Sequence, residues 1–303
     1  MGLKKKIRDL FWVRFFTSEL HCIESRLMPK ILSDEQAIKR DYRKQTGHEL
    51  NLENPHSFSE KNNWYKLKFR MPLMQQCADK VAVREYVSKQ GYAECLNEVY
   101  GVYGDVDQIK IDQLPNQFVL KASHGSHMNI IVKNKDAINW KKARLMMRSW
   151  LHQDIAWSGR EWVYKDIPRR IIAEKYLEDE TGELRDYKFY CFNGEPKFMQ
   201  LEVGRFTKDN TRNFYDLDWN LLPFGKELPH NPNIIVQKPQ KYEEMISIAR
   251  DLCNPFQYVR VDLYQVSGKI YFGELTFFPA GGAADFIPKI YDQIVGEMWE
   301  LKK

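Results

Sequence analysis

Two acidic side chains, Asp262 and Glu274, stand in short alternating runs on either side of a Ser267-Gly268 turn. Tyr258-Val-Arg-Val-Asp-Leu-Tyr264 and Lys269-Ile-Tyr-Phe-Gly-Glu-Leu-Thr-Phe277 have the pattern of an antiparallel hairpin. Side chains alternate along a strand, so Arg260, Asp262 and Tyr264 share one face and Glu274 shares a face with Thr276. A loop with an odd number of residues would set Asp262 opposite Glu274 and Arg260 opposite Thr276, and the apolar faces would then coincide. Adjacent anions repel unless a cation joins them. Oxygen-only ligands of this kind suit magnesium, which takes one or two carboxylates and completes its shell with water and phosphate oxygens. Arg260 beside such a site could neutralise a transferring phosphoryl group. Taken alone, the pattern serves equally for a surface hairpin with an Arg–Glu cross-strand pair.

A second group of residues suits phosphate. Lys121 ends the apolar run Phe118-Val-Leu120, and the small, polar stretch Ala122-Ser-His-Gly-Ser-His-Met-Asn129 follows. Backbone N–H groups around Ser123, Gly125 and Ser126 can lie over phosphates, with the lysine as a point charge. The stretch lacks the Gly-Lys-Ser/Thr ending of a P-loop, and a strand-end lysine is often only solvated. His124 and His127 are three apart with no third ligand evident, so zinc is not expected. Asp216-Leu-Asp218 before Trp219 has the form of a glycosyltransferase metal motif, but it also reads as a turn between strands.

The elements that must position these residues change character along the chain. The first 95 residues read as helical, with helices from Ser33 to Gly47, from Ser57 past Leu67, and from a cap at Asp79 to Gly91. Strands are predicted at 117–121, 129–132, 170–174, 187–192, 257–265 and 269–278, and helices at 139–152, 240–252 and from Phe286. Interleaved helices and strands without regular βαβ units predict an α+β fold.

Composition narrows the class. With 303 residues, 43% hydrophobic and 29% charged, the chain can bury a large core, and the lack of repeats and low-complexity stretches speaks against a solenoid or a disordered tail. Aromatics at 14% serve core packing, and Trp140, Trp150, Trp157 and Trp162 could also hold a saccharide. Five scattered cysteines without a C-x-x-C pair argue against a disulfide framework and for a reducing compartment. No apolar run is long enough to span a membrane and no signal peptide is seen, so a cytoplasmic location is expected. A net charge of +5 alone does not call for nucleic acid, because such a binder would not need the acidic pair. Residues 1–18 mix Lys4, Lys5, Lys6, Arg8 and Arg14 with Leu3, Ile7, Leu10, Phe11, Trp12, Val13, Phe15 and Phe16. Such a segment suits either peripheral contact with the inner membrane or packing on the protein's own core.

In combination, Asp79-Lys80 with Arg84, FVLKASHGS, Ile171-Ile-Ala-Glu-Lys-Tyr-Leu177, DYKFYCFNG, RVDLY and FGELTFFP resemble the ATP-grasp superfamily. More closely, the chain looks like the TupA-like ATP-grasp family of bacterial surface-polysaccharide gene clusters, from about residue 30 to 279. The resemblance implies a nucleotide cleft between two α+β subdomains, 96–185 and 186–303, preceded by a helical region over 1–95. It implies Lys121 on the ATP phosphates, assisted by Lys80 and the Ser123–Ser126 loop, which would close over ATP. Glu174, Tyr176 and Leu177 would form the hinge that reads the adenine, and Lys188 and Asp186 would line the cleft between the Lys121–Lys188 strands and the hairpin. Asp262 and Glu274 would bind Mg²⁺ and Arg260 would hold the phosphoryl group; Thr276 stands where many relatives have Asn. The implied activity is an amide-forming ligase that uses Mg–ATP to join a carboxylate, such as a uronic acid, to an amino acid through an acyl phosphate. A sugar kinase and, further off, a metal-dependent glycosyltransferase are the alternatives.

Overall fold

The structure, a computed structural model, describes residues 11–27, 31–179, 182, 184–204, 210–282 and 284–302. The basic residues Lys4, Lys5, Lys6 and Arg8 lie outside the described residues. The helices are α1 (Phe11–Leu27), α2 (Asp34–Thr46), α3 (Phe58–Lys68), α4 (Pro72–Ala78), α5 (Val83–Lys89), α6 (Trp140–His152), α7 (Ile155–Ser158), α8 (Tyr242–Cys253) and α9 (Ile290–Glu297). The strands are β1 (Val99–Tyr103), β2 (Phe118–Ala122), β3 (Asn129–Val132), β4 (Ile171–Lys175), β5 (Asp186–Phe192), β6 (Glu195–Val203), β7 (Thr211–Asp216), β8 (Tyr258–Val266) and β9 (Lys269–Thr276). Mixed helices and antiparallel sheets make this an α+β protein, as the sequence predicts. The chain divides into two compact units, one of residues 1–34, 75–83 and 97–176, the other of residues 35–74, 84–96 and 177–303.

The first unit is built on an antiparallel sheet of order β1-β4-β2-β3. In β2, Phe118, Leu120 and Ala122 are buried while Val119 and Lys121 are half-buried, the alternation of a strand packed most tightly on one face. Against it lies α6, which starts at Asn139, whose side chain accepts the Lys142 N–H and so satisfies one of the helix's orphan donors. The helix places Met146, Met147 and Trp150 in the core, and Trp140 stacks on Phe118. Each such burial stabilises by about 1.5–3 kcal/mol. Trp150 is therefore a core residue, not a saccharide platform.

The second unit holds a five-stranded antiparallel sheet of order β7-β6-β5-β8-β9. Strand β5 is buried along its whole length. One face of the sheet is covered by α8, which buries Met245, Ile248, Ala249 and Leu252. Phe58, Tyr190, Phe192, Tyr258, Phe286 and Trp299 form a ring cluster with centroids 4.8–6.4 Å apart. Phe58 comes from α3, whose N-terminus is closed by a capping box of Ser57 and Glu60. At Gly296 a Cβ would stand 2.2 Å from the His56 carbonyl, so α9 meets the start of α3 backbone to backbone.

The hairpin reaches its expected pairing by another route. The loop is the two residues Ser267 and Gly268, both with positive φ, as a tight hairpin turn requires. A two-residue loop alone would set Asp262 opposite Gly273. A bulge between Asp262 and Leu263 shifts the register and places Asp262 opposite Glu274 and Arg260 opposite Thr276. Gly273 permits it: a Cβ there would lie 2.8 Å from the Tyr264 ring and 2.9 Å from the Asp262 carbonyl.

Other expectations change. The helix predicted from Asp79 to Gly91 begins only at Val83, because Asp79 turns its carboxylate to the Val81 N–H and to Arg170, and a short helix, α4, precedes it. Strands β1, β6 and β7 were not legible, since Gly101, Pro196 and scattered charges interrupt their alternation.

Candidate active site

On the second unit's sheet, β5, β8 and β9 bring a charged cluster onto one face. Lys188 pairs across strands with Asp262, and Asp262 with Glu274. Arg260 grips the Asp262 carboxylate with both sides of its fork, Nε to Oδ1 and Nη2 to Oδ2, each at 2.7 Å. Lys188 donates to the same Oδ2 at 2.5 Å and stands 3.0 Å from Asp186. Nη2 of Arg260 also donates to the Thr276 hydroxyl at 3.1 Å and lies 3.6 Å from Glu274. The Thr276 hydroxyl in turn donates to Glu274 at 3.2 Å.

Burial sets the electrostatics. Asp262 has no solvent exposure, whereas the Glu274 side chain is 37% exposed. Burial works against the Lys188 ammonium, but Asp186 and Asp262 outweigh it and its pKa is raised. Arg260 likewise loses hydration and is held charged by Asp262. The Asp262 carboxyl is pushed up by burial against the pull of Arg260 and Lys188. Charges taken out of water are tolerated only when paired and hydrogen-bonded, as these are.

The donor chemistry fits magnesium. Asp262, Glu274 and Thr276 offer only oxygens, and among the described residues no group of three or more His, Cys, Asp or Glu could form a cage for a metal by itself. Such a site needs further oxygens from outside the protein, which is how magnesium is held when phosphates complete its shell. Three carboxylates (Asp186, Asp262 and Glu274) and two cations, Lys188 and Arg260, meet in this cluster.

The first unit carries a smaller cluster. The Lys121 ammonium donates to Glu174 at 2.7 Å from the neighbouring strand. The turn after Lys121 is closed by Ala122 N–H to the Met128 carbonyl at 2.9 Å. Ser123 is buried, and its hydroxyl donates to the Pro168 carbonyl at 3.0 Å. Lys80 anchors the turn through its backbone N–H to Ser123 O and its ammonium to Gly125 O, at 3.1 and 2.7 Å. Of the predicted loop residues, Ser126 is exposed at the tip while Ser123 and Gly125 face inward. His124 is buried with Nε2 3.0 Å from the Trp150 carbonyl, and burial lowers its pKa to about 4. His127 is exposed with φ 60°, so the two histidines do not form a metal pair. Tyr176 closes this unit, with the Lys133 ammonium 5.2 Å above its ring, and Leu177 begins the next.

One feature escaped the sequence reading. Asn62, Asn63 and Lys66 on α3 are buried and donate to the carbonyls of Phe277, Gly282 and Gly281, gripping the segment after β9. Their signal was three polar residues at 62, 63 and 66 on a helix whose neighbours are buried rings. Asp216 has a different role from a metal ligand: its oxygens accept Asp218 N–H, Asn220 N–H and the Asn220 amide, closing a turn.

Solved structures similar to the chain include a D-alanine–D-alanine ligase from Bacillus anthracis, at 14% identity and TM-score 0.40, over 73% of this chain and 67% of that one. D-alanyl-alanine synthetase A from Vibrio cholerae O1 biovar eltor str. N16961 is similar at 11% identity and TM-score 0.43, over 79% and 64%. N5-carboxyaminoimidazole synthase from Aspergillus clavatus is similar at 13% identity and TM-score 0.38, over 67% and 44%, so the chain spans less than half of that structure's length. No protein of curated function matches the chain. The family model for TupA-like ATP-grasp proteins matches residues 60–300, and the chain belongs to that family.

Proposed function

We propose that the chain joins a carboxylate to an amine at the expense of ATP. The observation that carries this reading is the fork of Arg260 on Asp262, flanked by Lys188, with Glu274 and Thr276 opposite on the next strand. The substrate carboxylate attacks the γ-phosphorus, the bond to the β-phosphate oxygen breaks, and ADP leaves. The amine then attacks the acyl carbon of the resulting acyl phosphate, the C–O bond breaks, and inorganic phosphate departs as the nitrogen loses a proton. Arg260 and Lys188 neutralise charge on the phosphoryl group as it moves, and their fixed positions mean that little reorganisation is needed. Magnesium, when bound, would supply further charge neutralisation, with Asp262 and Glu274 as ligands and Thr276 beside them.

Lys121 and Glu174 act on the nucleotide, the lysine at phosphate and the glutamate at an adenine or ribose donor, with Tyr176, Leu177 and Ser126 beside them. Lys80, Ser123 and Gly125 hold the loop rather than the phosphates, through the hydrogen bonds already described. The carboxylate is a uronic acid of a surface polysaccharide or its precursor and the amine an amino acid. Support for these substrates is the family resemblance alone. Dependence on ATP places the reaction in the cytoplasm.

Two measurements test the reading. Thermal stabilisation is compared for Mg–ATP and Mg–UDP-sugars, in the wild type and in Glu274→Gln. Bound well above its Kd, a ligand raises stability by about 2.7 kcal/mol at a hundredfold excess. ATP stabilises the wild type, and Glu274→Gln, which changes a partly exposed carboxylate, weakens that response. Stabilisation by a UDP-sugar alone would sink the proposal. Phosphate release that requires both a uronic acid and an amino acid then identifies a ligase, whereas a stable phosphate ester identifies a kinase.

A further inference from the structure

Helix α1 has two apolar faces, and the structure uses one. Phe11 and Phe15 pack against the first unit's core, the Ser18 hydroxyl meets that of Ser149 at 2.6 Å, and Cys22 donates to the Ser149 carbonyl. On the other side Trp12, Phe16, Leu20, Ile23 and Leu27 are each between 53% and 60% exposed. At 100° per residue these five fall within an arc of about 80° on the helix. Apolar side chains scattered singly over a surface are ordinary, but five in one line along a 17-residue helix form a continuous stripe.

We propose that this stripe is a lipid-binding face, on which α1 lies in the plane of an anionic bilayer. Charge decides the occupant. Lys4, Lys5, Lys6 and Arg8 precede the stripe, and no acidic residue comes before Asp9. A basic segment that precedes an apolar stripe in the sequence matches anionic headgroups above acyl chains. A second copy of the chain would cover the stripe without using the four cations. No helix among the described residues is long and apolar enough to cross a membrane. For an enzyme acting on saccharide this would hold the catalyst where lipid-linked sugars are found, though the binding itself does not depend on the reaction proposed above.

Flotation of the full chain with phosphatidylcholine vesicles, with and without a quarter of phosphatidylglycerol, tests this directly. The protein floats with the anionic vesicles and is released by high salt. Reversing Lys4, Lys5 and Lys6 to Glu weakens binding by at least about tenfold, each basic residue near an anionic surface contributing roughly fivefold. Phe16→Glu with Leu20→Glu abolishes flotation and leaves the melting curve and its response to Mg–ATP unchanged, because both side chains are exposed. Failure to float on either vesicle would overturn the proposal. So would flotation that survives Phe16→Glu/Leu20→Glu, or a dimer seen by light scattering that those substitutions dissociate without any lipid binding.

Discussion

Two buried lysines of the second unit are treated in opposite ways. Lys188 faces carboxylates, Asp262 at 2.5 Å and Asp186 at 3.0 Å, and its pKa is raised. Lys226 sits between the rings of Phe58 and Phe286, 5.3 and 4.7 Å from their centroids, and donates to the Ala284 carbonyl. Burial lowers its pKa to about 8, against a weaker opposing pull from Asp292, Glu227 and Asp285. Depth alone therefore does not determine what a buried charge costs. The partner within hydrogen-bond reach does, and the site is where such partners have been gathered.

The strongest way to break that comparison is to remove each ammonium in turn. Lys188→Met leaves Asp262 and Asp186 in the interior short of a cation, and breaking a buried pair in this way costs about 3–5 kcal/mol. Urea unfolding should register that loss, and ATP should no longer raise the midpoint. Lys226→Met removes a charge that is already disfavoured and keeps the ring contacts but leaves the Ala284 carbonyl without its donor, so its cost at neutral pH is expected to stay well below that of Lys188→Met. Equal losses in the two variants would mean that the pairing at Lys188 contributes nothing special.

Titration sharpens the same contrast. Lys226 has a folded pKa of about 8 against an ordinary 10.5. Between those values the unfolded chain holds more protons than the folded one, so stability rises with pH across that window, by up to about 3 kcal/mol. Below pH 8 the full cost of the buried charge is present. The rise should vanish in Lys226→Met and persist in the wild type; a flat wild-type curve from pH 8 to 10.5 would contradict the assignment.

How much of this was legible depended on whether the cause was local. The hairpin could be read because Arg260, Asp262 and Tyr264 alternate with apolar residues and a Ser-Gly turn follows. Its pairing of Asp262 with Glu274 could be read too, from the coincidence of the apolar faces, but the bulge at Gly273 that produces it could not, because that depends on a close approach to Tyr264 and the Asp262 carbonyl that no spacing announces. In the first unit, Lys121 was found near the end of its strand and Glu174 was named, but not that the two pair with each other. Which hydroxyl of the following loop turns inward was invisible, since Ser123 is fixed by Pro168 and Arg170, far along the chain. The grip of α3 on the segment after β9 was missed for the same reason, its contacts spanning more than two hundred residues.

His124 extends the comparison to the first unit, as a buried base with no carboxylate to keep it charged. Its folded pKa of about 4 lies below the ordinary 6.5, and burial is the main cause. The unfolded chain therefore binds the extra proton first as pH falls, and stability drops from pH 6.5 to 4 by roughly 2–3 kcal/mol. Replacing it by Gln, which can still donate to the Trp150 carbonyl, should flatten the acid limb measured by thermal unfolding. An unchanged slope would show that other groups carry the acid transition.

The smallest effect on stability is expected where the buried contacts are neutral, and there the consequence for activity should be the larger one. Ala280, Gly281 and Gly282 all have positive φ, so the chain turns sharply a few residues after Glu274 and Thr276. That conformation is held from α3: the Asn62 amide donates to Phe277 O at 3.1 Å, Asn63 to Gly282 O at 2.6 Å, and Lys66 to Gly281 O at 2.5 Å. Gly282 fits because a Cβ there would stand 2.9 Å from both asparagine oxygens. Removing one neutral donor leaves a single carbonyl without its partner, so Asn62→Ala should cost about 1–3 kcal/mol, well below Lys188→Met. Yet β9 ends at Thr276, one residue before the first gripped carbonyl, and a shift there is passed to Glu274 and Thr276. Asn62→Ala should therefore lower kcat severalfold while the stabilisation by Mg–ADP is little changed, because Lys188 and Arg260 are untouched. Wild-type kcat with the stability loss alone would confine Asn62 to holding the fold.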